Sequence, residues 1–186
     1  MKRYKIVGNN IVAFTNCKFV ADERALEQFP RNPGSIYSYE KHKNGVIIYE
    51  LPQDILKEIK QIENFYKYRI IPYASAVLKA IPQTHFIFID KEESTVIISA
   101  YGEKQITTPT NIDIKQFESQ RETIIQSFKN LLGVSEIPVI EKQIHWDSPV
   151  EFLLPETIQY RTKQSRAKEE VWGWIITFVL IGIACW

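Results

Sequence analysis

The chain has 186 residues, of which 45% are hydrophobic and 24% charged, a composition that is typical of folded proteins and excludes general disorder. Its formal net charge of +1 provides no basic field for holding nucleic acid, so we expect no nucleic-acid partner. The two cysteines, Cys17 and Cys185, form no CxxC pair and predict unpaired thiols in a reducing compartment. The first residues lack an apolar core of signal-peptide length, so we expect the N-terminal domain in the cytosol.

The first half of the chain predicts short strands, a hairpin and one clear helix. Three apolar runs within residues 4–21 indicate strands, and residues 22–29 indicate one or two helical turns. The Asn44-Gly45 pair between two strand-like runs indicates a hairpin. Residues 54–68 place apolar side chains three or four positions apart, which predicts one amphipathic helix whose inner face carries Ile55, Ile59, Ile62 and Tyr66.

The second half predicts a helix, a three-stranded meander, a long helix and a last strand. Residues 73–81 are rich in small side chains and indicate a short, closely packed helix. Strand-like runs follow at 84–90, 94–102 and 103–108, and an amphipathic helix at 113–132 ends before Gly133. Residues 137–146 indicate one more strand. This mixture predicts an α+β or α/β fold, packed as one domain over residues 1–155 or as two lobes, 1–70 and 71–155.

An uncharged apolar run closes the sequence. Residues 171–186 contain no charged side chain, and Trp172, Trp174 and Trp186 lie near the ends of the run, as in helices anchored at membrane interfaces. The run is about 24 Å long as a helix, somewhat short of a bilayer core, so we expect the natural chain to continue beyond it. A buried helix of a globular protein is the alternative interpretation.

The segment before the apolar run is basic. Residues 156–170 form the predicted juxtamembrane linker, in which the positive side chains are Arg161, Lys163, Arg166 and Lys168. Positive residues beside a span are retained on the cytoplasmic side. The sequence therefore predicts a single-pass membrane protein, with the N-terminal domain in the cytoplasm and the lipid bilayer as a partner.

The order of elements from residue 70 onwards resembles the second half of the actin-like, ribonuclease H-like ATPase fold. Asp90 stands at a strand end, where that family's phosphate-contacting Asp lies. The family's phosphate turn is rich in glycine, whereas this chain has Glu92 and Glu93 there, and two carboxylates repel phosphate. The resemblance thus implies an actin-like domain without nucleotide machinery.

An actin-like domain followed by a basic linker and one span resembles the bitopic inner-membrane accessory proteins of type IVb pili, of the bundle-forming-pilus type. The L-type proteins of type II secretion share this layout. The resemblance implies a bacterial inner-membrane scaffold for pilus assembly that acts through protein-protein interaction. Its implied partners are a cytoplasmic hexameric assembly ATPase, a polytopic inner-membrane platform protein and other inner-membrane components.

The sequence offers no catalytic, cofactor-binding or metal-ligating residues. Phosphate-loop, dinucleotide, hydrolase and zinc-protease signatures are absent, and His42, His85 and His145 are isolated along the chain. Glu118 and Glu122 lie four apart on a predicted helix and indicate a solvated face. We therefore expect a protein that is not an enzyme.

Two questions stay open at this point. The aromatic residues Phe65, Tyr66 and Tyr68 are interpreted either as an exposed partner patch or as part of the core. The alternative functions are a tail-anchored regulatory or adaptor protein and a membrane-tethered enzyme.

Overall fold

The computed structural model describes residues 3–184 except residues 9, 22 and 84, and the side chains of residues 23 and 173–184 are not described. Ten strands form in this part of the chain: β1 (Tyr4–Val7), β2 (Ile11–Phe14), β3 (Cys17–Val20), β4 (Ile36–His42), β5 (Gly45–Leu51), β6 (Arg69–Pro72), β7 (Phe86–Lys91), β8 (Thr95–Tyr101), β9 (Thr110–Asp113) and β10 (Val139–Glu141). The described α-helices are α1 (Glu23–Glu27), α2 (Gln53–Lys60), α3 (Tyr73–Ala80), α4 (Ile114–Leu132) and α5 (Pro155–Ala184).

The strands form three sheets. In the first, β2 pairs antiparallel with β1 and parallel with β6. In the second, β5 lies between β3 and β4, antiparallel to both. In the third, the order is β10-β7-β8-β9, with β10 parallel to β7 and the other neighbours antiparallel. The predicted mixed α+β architecture is therefore confirmed.

The third sheet separates two hydrophobic clusters because its side chains alternate between faces. Phe86 and Phe88 of β7 face the larger cluster, which also contains Phe14, Tyr49 and Tyr73 from the first half of the chain. The intervening residues of β7 face α4 and pack in the smaller cluster, with Phe117 among them. Asp90 continues the row of Phe86 and Phe88, so its carboxylate points into the space between the third sheet and the first half.

The predicted hairpin is confirmed. His42 pairs with Gly45, which leaves Lys43 and Asn44 as a two-residue loop between β4 and β5. Gly45 is required by close packing, since a Cβ there would lie 2.3 Å from the carbonyl oxygen of Val20. The hairpin places β4 at one edge of the second sheet.

Three element predictions need correction. The helix predicted for residues 54–68 ends at Lys60, because Asn64 adopts a left-handed conformation (φ 56°) and only a short 3-10 helix, Phe65–Lys67, follows. The third strand of the meander is β9 and not 103–108, where Ile106 makes an isolated bridge to Tyr101. The last strand, predicted for residues 137–146, contains only the three residues of β10, which pairs parallel with β7.

The chain leaves the domain through one long helix. Phe152 bridges to Ile70 at the edge of β6, and the 30 residues of α5 then begin at Pro155. Thr157 is 1% exposed against the domain, whereas residues 161–172 are all exposed. The predicted linker and most of the apolar run therefore belong to a single helix, about 45 Å long at 1.5 Å per residue.

No helix in the described part of the chain combines the length and the hydrophobicity that crossing a bilayer requires. The membrane-spanning helix expected at residues 171–186 is thus not confirmed. Of its interfacial tryptophans, Trp172 is 64% exposed, while the side chain of Trp174 and the whole of Trp186 lie outside the described residues.

Candidate functional site

The most unusual group in the structure is the Asp90 carboxylate. It is 7% exposed and is the one charged side chain among the buried residues of the described chain. Burying a carboxylate is costly unless a counter-charge and hydrogen bonds compensate for the water it loses. The surroundings of Asp90 therefore define the site.

Lys5 supplies the counter-charge from the first sheet, 85 positions earlier in the chain. Its Nζ atom lies 2.8 Å from Asp90 Oδ2 and 2.6 Å from Glu92 Oε1. Burial alone would lower the pKa of the Lys5 ammonium, but the hydrogen bonds and charges of these two carboxylates outweigh burial and raise it. Lys5 thus stays protonated and joins β1 to the hairpin between β7 and β8.

Two aromatic side chains complete the enclosure. The Tyr73 hydroxyl donates to Asp90 Oδ2 at 3.3 Å, and burial raises the pKa of Tyr73, so the hydroxyl remains a donor. The Lys5 ammonium lies 5.1 Å from the centroid of the Trp146 ring, within the range of a cation–π contact. Trp146 also packs on Tyr73, with 5.3 Å between ring centroids. The cluster therefore holds together four separate parts of the chain: β1, α3, the end of β7 and the segment after β10.

An open groove of about 450 Å³ lies beside this cluster, between β1 and the strands β8 and β9. Its lining includes Lys5 and Glu92, which are paired with each other, and the apolar side chains of Tyr4, Ile6 and Ile97. A ligand entering the groove would meet a lysine that is already paired with two carboxylates. The groove therefore has little electrostatic attraction for a free anion.

The turn after Asp90 does not form a phosphate cradle. The backbone N–H of Glu92 donates to the carbonyl of Thr95 at 2.8 Å, and the Thr95 hydroxyl donates to the Glu92 side chain at 3.1 Å. A phosphate site needs free backbone N–H groups and positive potential. This turn instead uses the Glu92 N–H internally and presents carboxylate.

A second charged network joins α5 to the domain. Asp147 accepts from both Lys79 and Arg69, and Arg69 also reaches Glu151, which in turn pairs with Arg161 of α5. Beside it, Lys60 of α2 pairs with Glu156 at 2.7 Å. Side-chain hydrogen bonds from these lysines lower the pKa of Asp147 and of Glu156. Both carboxylates therefore stay ionised and keep their partners at neutral pH.

The structure places the predicted basic residues and the predicted aromatic group in different surroundings. Arg161 is held by Glu151, while Lys163, Arg166 and Lys168 are exposed on α5. Phe65 and Tyr68 pack against the main core, and the Tyr66 ring contacts that of Tyr160 at a tilt of 53°, with 5.0 Å between ring centroids. This packing favours the core interpretation of these half-buried aromatics, and the Tyr66–Tyr160 contact helps to hold the start of α5.

Lys5 and Trp146 are site residues that sequence reasoning missed. The only signal for Lys5 is a charged residue inside a short apolar strand, which predicts a counter-charge without saying where it lies. Trp146 lies in a segment without regular structure, where no periodicity indicates its contacts.

The ion pair predicts a measurable coupling energy. Lys5→Met keeps the apolar stem and should lower the free energy of unfolding by about 2–4 kcal/mol, since it leaves Asp90 buried without its cation. Asp90→Asn should lower the free energy of unfolding by less than Lys5→Met does. The double variant should lower it by less than the sum of the two single variants, as measured by urea unfolding. Lys104→Met, at an exposed position, is the control. Simple additivity would contradict the coupling.

The turn predicts that the domain does not bind nucleotide. Calorimetric titration of the chain with ATP and magnesium should give no heat of binding, because Glu92 and Glu93 repel phosphate and the Glu92 N–H is occupied. An E92Q/E93Q variant removes the two negative charges but not the backbone N–H at residue 92. Binding by this variant would therefore identify charge repulsion as the obstacle. A micromolar dissociation constant for the unmodified chain would show that this interpretation is wrong.

Comparison with known proteins gives little guidance. No protein-family model matches the chain, and no curated protein matches it. Among solved structures, the chain is similar to a protein of Bacteroides thetaiotaomicron described as having an actin-like ATPase fold and unknown function. The TM-score is 0.31 at 12% sequence identity, over 70% of this chain and 66% of that one, just under two thirds of its length. This weak similarity to an actin-like protein assigns the chain to no family, pilus or secretion system.

Proposed function

We propose that this chain is a non-catalytic scaffold of a type IV pilus or type II secretion-like machine, with an actin-like domain at the cytoplasmic face of the inner membrane. In this role the domain docks the cytoplasmic assembly ATPase to the membrane platform, and residues 171–186 anchor it in the bilayer.

The observation that supports the proposal most is the continuity of α5. One helix begins at Pro155 against the domain and runs to Ala184, through the basic residues and into the apolar run. Because residues 156–170 are helical, they extend only about 22 Å. A domain on this helix stays within a thin layer next to the membrane.

The first turns of α5 contact the domain through several side chains. Thr157 is buried, Tyr160 packs on Tyr66, and the Arg161–Glu151 and Lys60–Glu156 pairs lie on the surface around them. Exposed pairs each contribute little, typically up to about 1 kcal/mol, but together with the buried contacts they favour one direction for the helix. This direction would present a constant face of the domain to a partner at the membrane.

Confinement to a layer makes moderate affinity sufficient. A partner that also contacts the membrane platform meets the domain at high effective concentration, so its second contact becomes intramolecular. An oligomeric ATPase would engage several copies, and weak single contacts would add to firm attachment. Such attachment still permits rearrangement during each cycle.

The recruiting role is tested by the membrane fraction of the ATPase. We expect co-expression with the full chain to carry the ATPase into the membrane pellet, and deletion of residues 171–186 to release it. Replacing residues 171–186 by a leucine-rich run of the same length is the matched control, which should restore recruitment. Equal sedimentation with the full chain, the deletion and no scaffold at all would contradict the proposal.

A further inference from the structure

The strand β1 has an open edge beside the groove. It is the end strand of the β1-β2-β6 sheet and pairs with β2 on one side. Three of its residues line the groove: Tyr4, Lys5 and Ile6. Residues of β8 and β9 line the other side, among them Thr95 and Ile97. An edge strand presents main-chain N–H and C=O groups that can pair with another strand.

The direction of these main-chain groups follows from the pairing of β1. The Thr15 N–H donates to the Arg3 carbonyl at 3.0 Å, so the main-chain groups of Arg3 point towards β2. The groups alternate in direction along an antiparallel strand, and those of Tyr4 and Ile6 therefore point to the open side. In the described part of the chain no group hydrogen-bonds to them. Two donors and two acceptors are thus available along the groove.

The groove also carries a surplus of negative charge. The Lys5 ammonium is shared by Asp90 and Glu92, so one positive and two negative charges leave one negative charge in excess. The Asp90 side chain is 10% exposed and that of Glu92 is 37% exposed, which places the excess charge on the groove surface. The other lining residues are uncharged: Tyr4, Ile6, Thr15, Thr95, Ile97 and Asn111. An occupant with a positive side chain would complement this charge.

We propose that the groove binds an extended segment of a partner protein, which pairs with β1 as an added strand and carries a lysine or arginine beside Glu92. Four residues of the segment would lie opposite Tyr4–Val7, over a length of about 13 Å. The main chain of the segment provides hydrogen bonds, and its side chains cover the apolar surface of Ile6, which is 46% exposed. This binding requires neither the membrane nor the ATPase of the proposed function.

The β1 strand of a second copy of the chain would not supply the missing positive charge. Lys5 is the one cation of the strand, and it is already shared by Asp90 and Glu92. Each copy would also bring its own excess negative charge to the contact. The charge of the groove therefore favours a different, basic segment over a second copy.

Selection from a library of random short peptides tests the class of partner. The target is the purified full chain in detergent, and Ile6→Pro is the comparison. This substitution removes an N–H that the β1–β2 pairing does not use, so the sheet is kept while the edge loses a donor. Enriched peptides should contain lysine or arginine, and they should bind Ile6→Val as they bind the unmodified chain. Equal enrichment on Ile6→Pro, or enrichment of acidic peptides, would overturn the proposal.

N-methylation of an enriched peptide tests the strand pairing without altering the protein. Methyl groups on the alternate nitrogens that face β1 should weaken binding about tenfold or more, whereas methyl groups on the other nitrogens should have little effect. Glu92→Gln should weaken binding of the unmethylated peptide about two- to fivefold, because an exposed charge pair contributes modestly. Fluorescence anisotropy measures these affinities. Equal effects of the two methylation patterns, or no change with Glu92→Gln, would overturn the proposal.

Sedimentation equilibrium of the full chain in density-matched detergent tests the second copy as the occupant. The unmodified chain and Ile6→Pro should have the same mass, because the edge of β1 is not used between copies. A dimer that is dissociated both by Ile6→Pro and by the enriched peptide would show that a second copy occupies the edge, and it would overturn the proposal.

Discussion

The buried carboxylate of Asp90 is the constraint around which the structure is arranged. It stands at the end of β7, in the same row as the core residues Phe86 and Phe88, and is 7% exposed. A charge at this depth requires a nearby cation, and Lys5 provides it from β1, 85 positions earlier in the chain. This pairing fixes where the first sheet meets the third and which groups line the groove between them.

The same pairing explains the chemical character of the site. The Lys5 charge is used by Asp90 and Glu92, the Tyr73 hydroxyl is used by Asp90, and the Glu92 N–H is used by Thr95. Groups that could act on a ligand are instead engaged with one another. The arrangement suits a domain that is held in one shape and whose surfaces and long C-terminal helix serve for contact, as the proposed scaffold requires.

Much of the local structure could be predicted from sequence, because periodicity and turn residues act over short distances. The hairpin around Asn44-Gly45 is confirmed, and the long helix ending at Gly133 forms with a kink at Gln120, whose backbone is not helical. The break at Asn64 could not be predicted, since apolar spacing continued through it while the backbone turned left-handed. The site depends on Lys5 meeting Asp90 across 85 positions, and no spacing rule reports such a contact.

The proposed function requires that the C-terminal helix holds this domain against the cytoplasmic face of a membrane. The most direct measurement is thiol labelling of a Lys43→Cys variant of the full chain, because Lys43 is exposed in the β4–β5 loop. A membrane-impermeant maleimide should leave the variant unlabelled in intact cells and label it after permeabilisation, with the protein in the membrane fraction both times. Ready labelling in intact cells, or recovery of the protein in the soluble fraction, would contradict the claim.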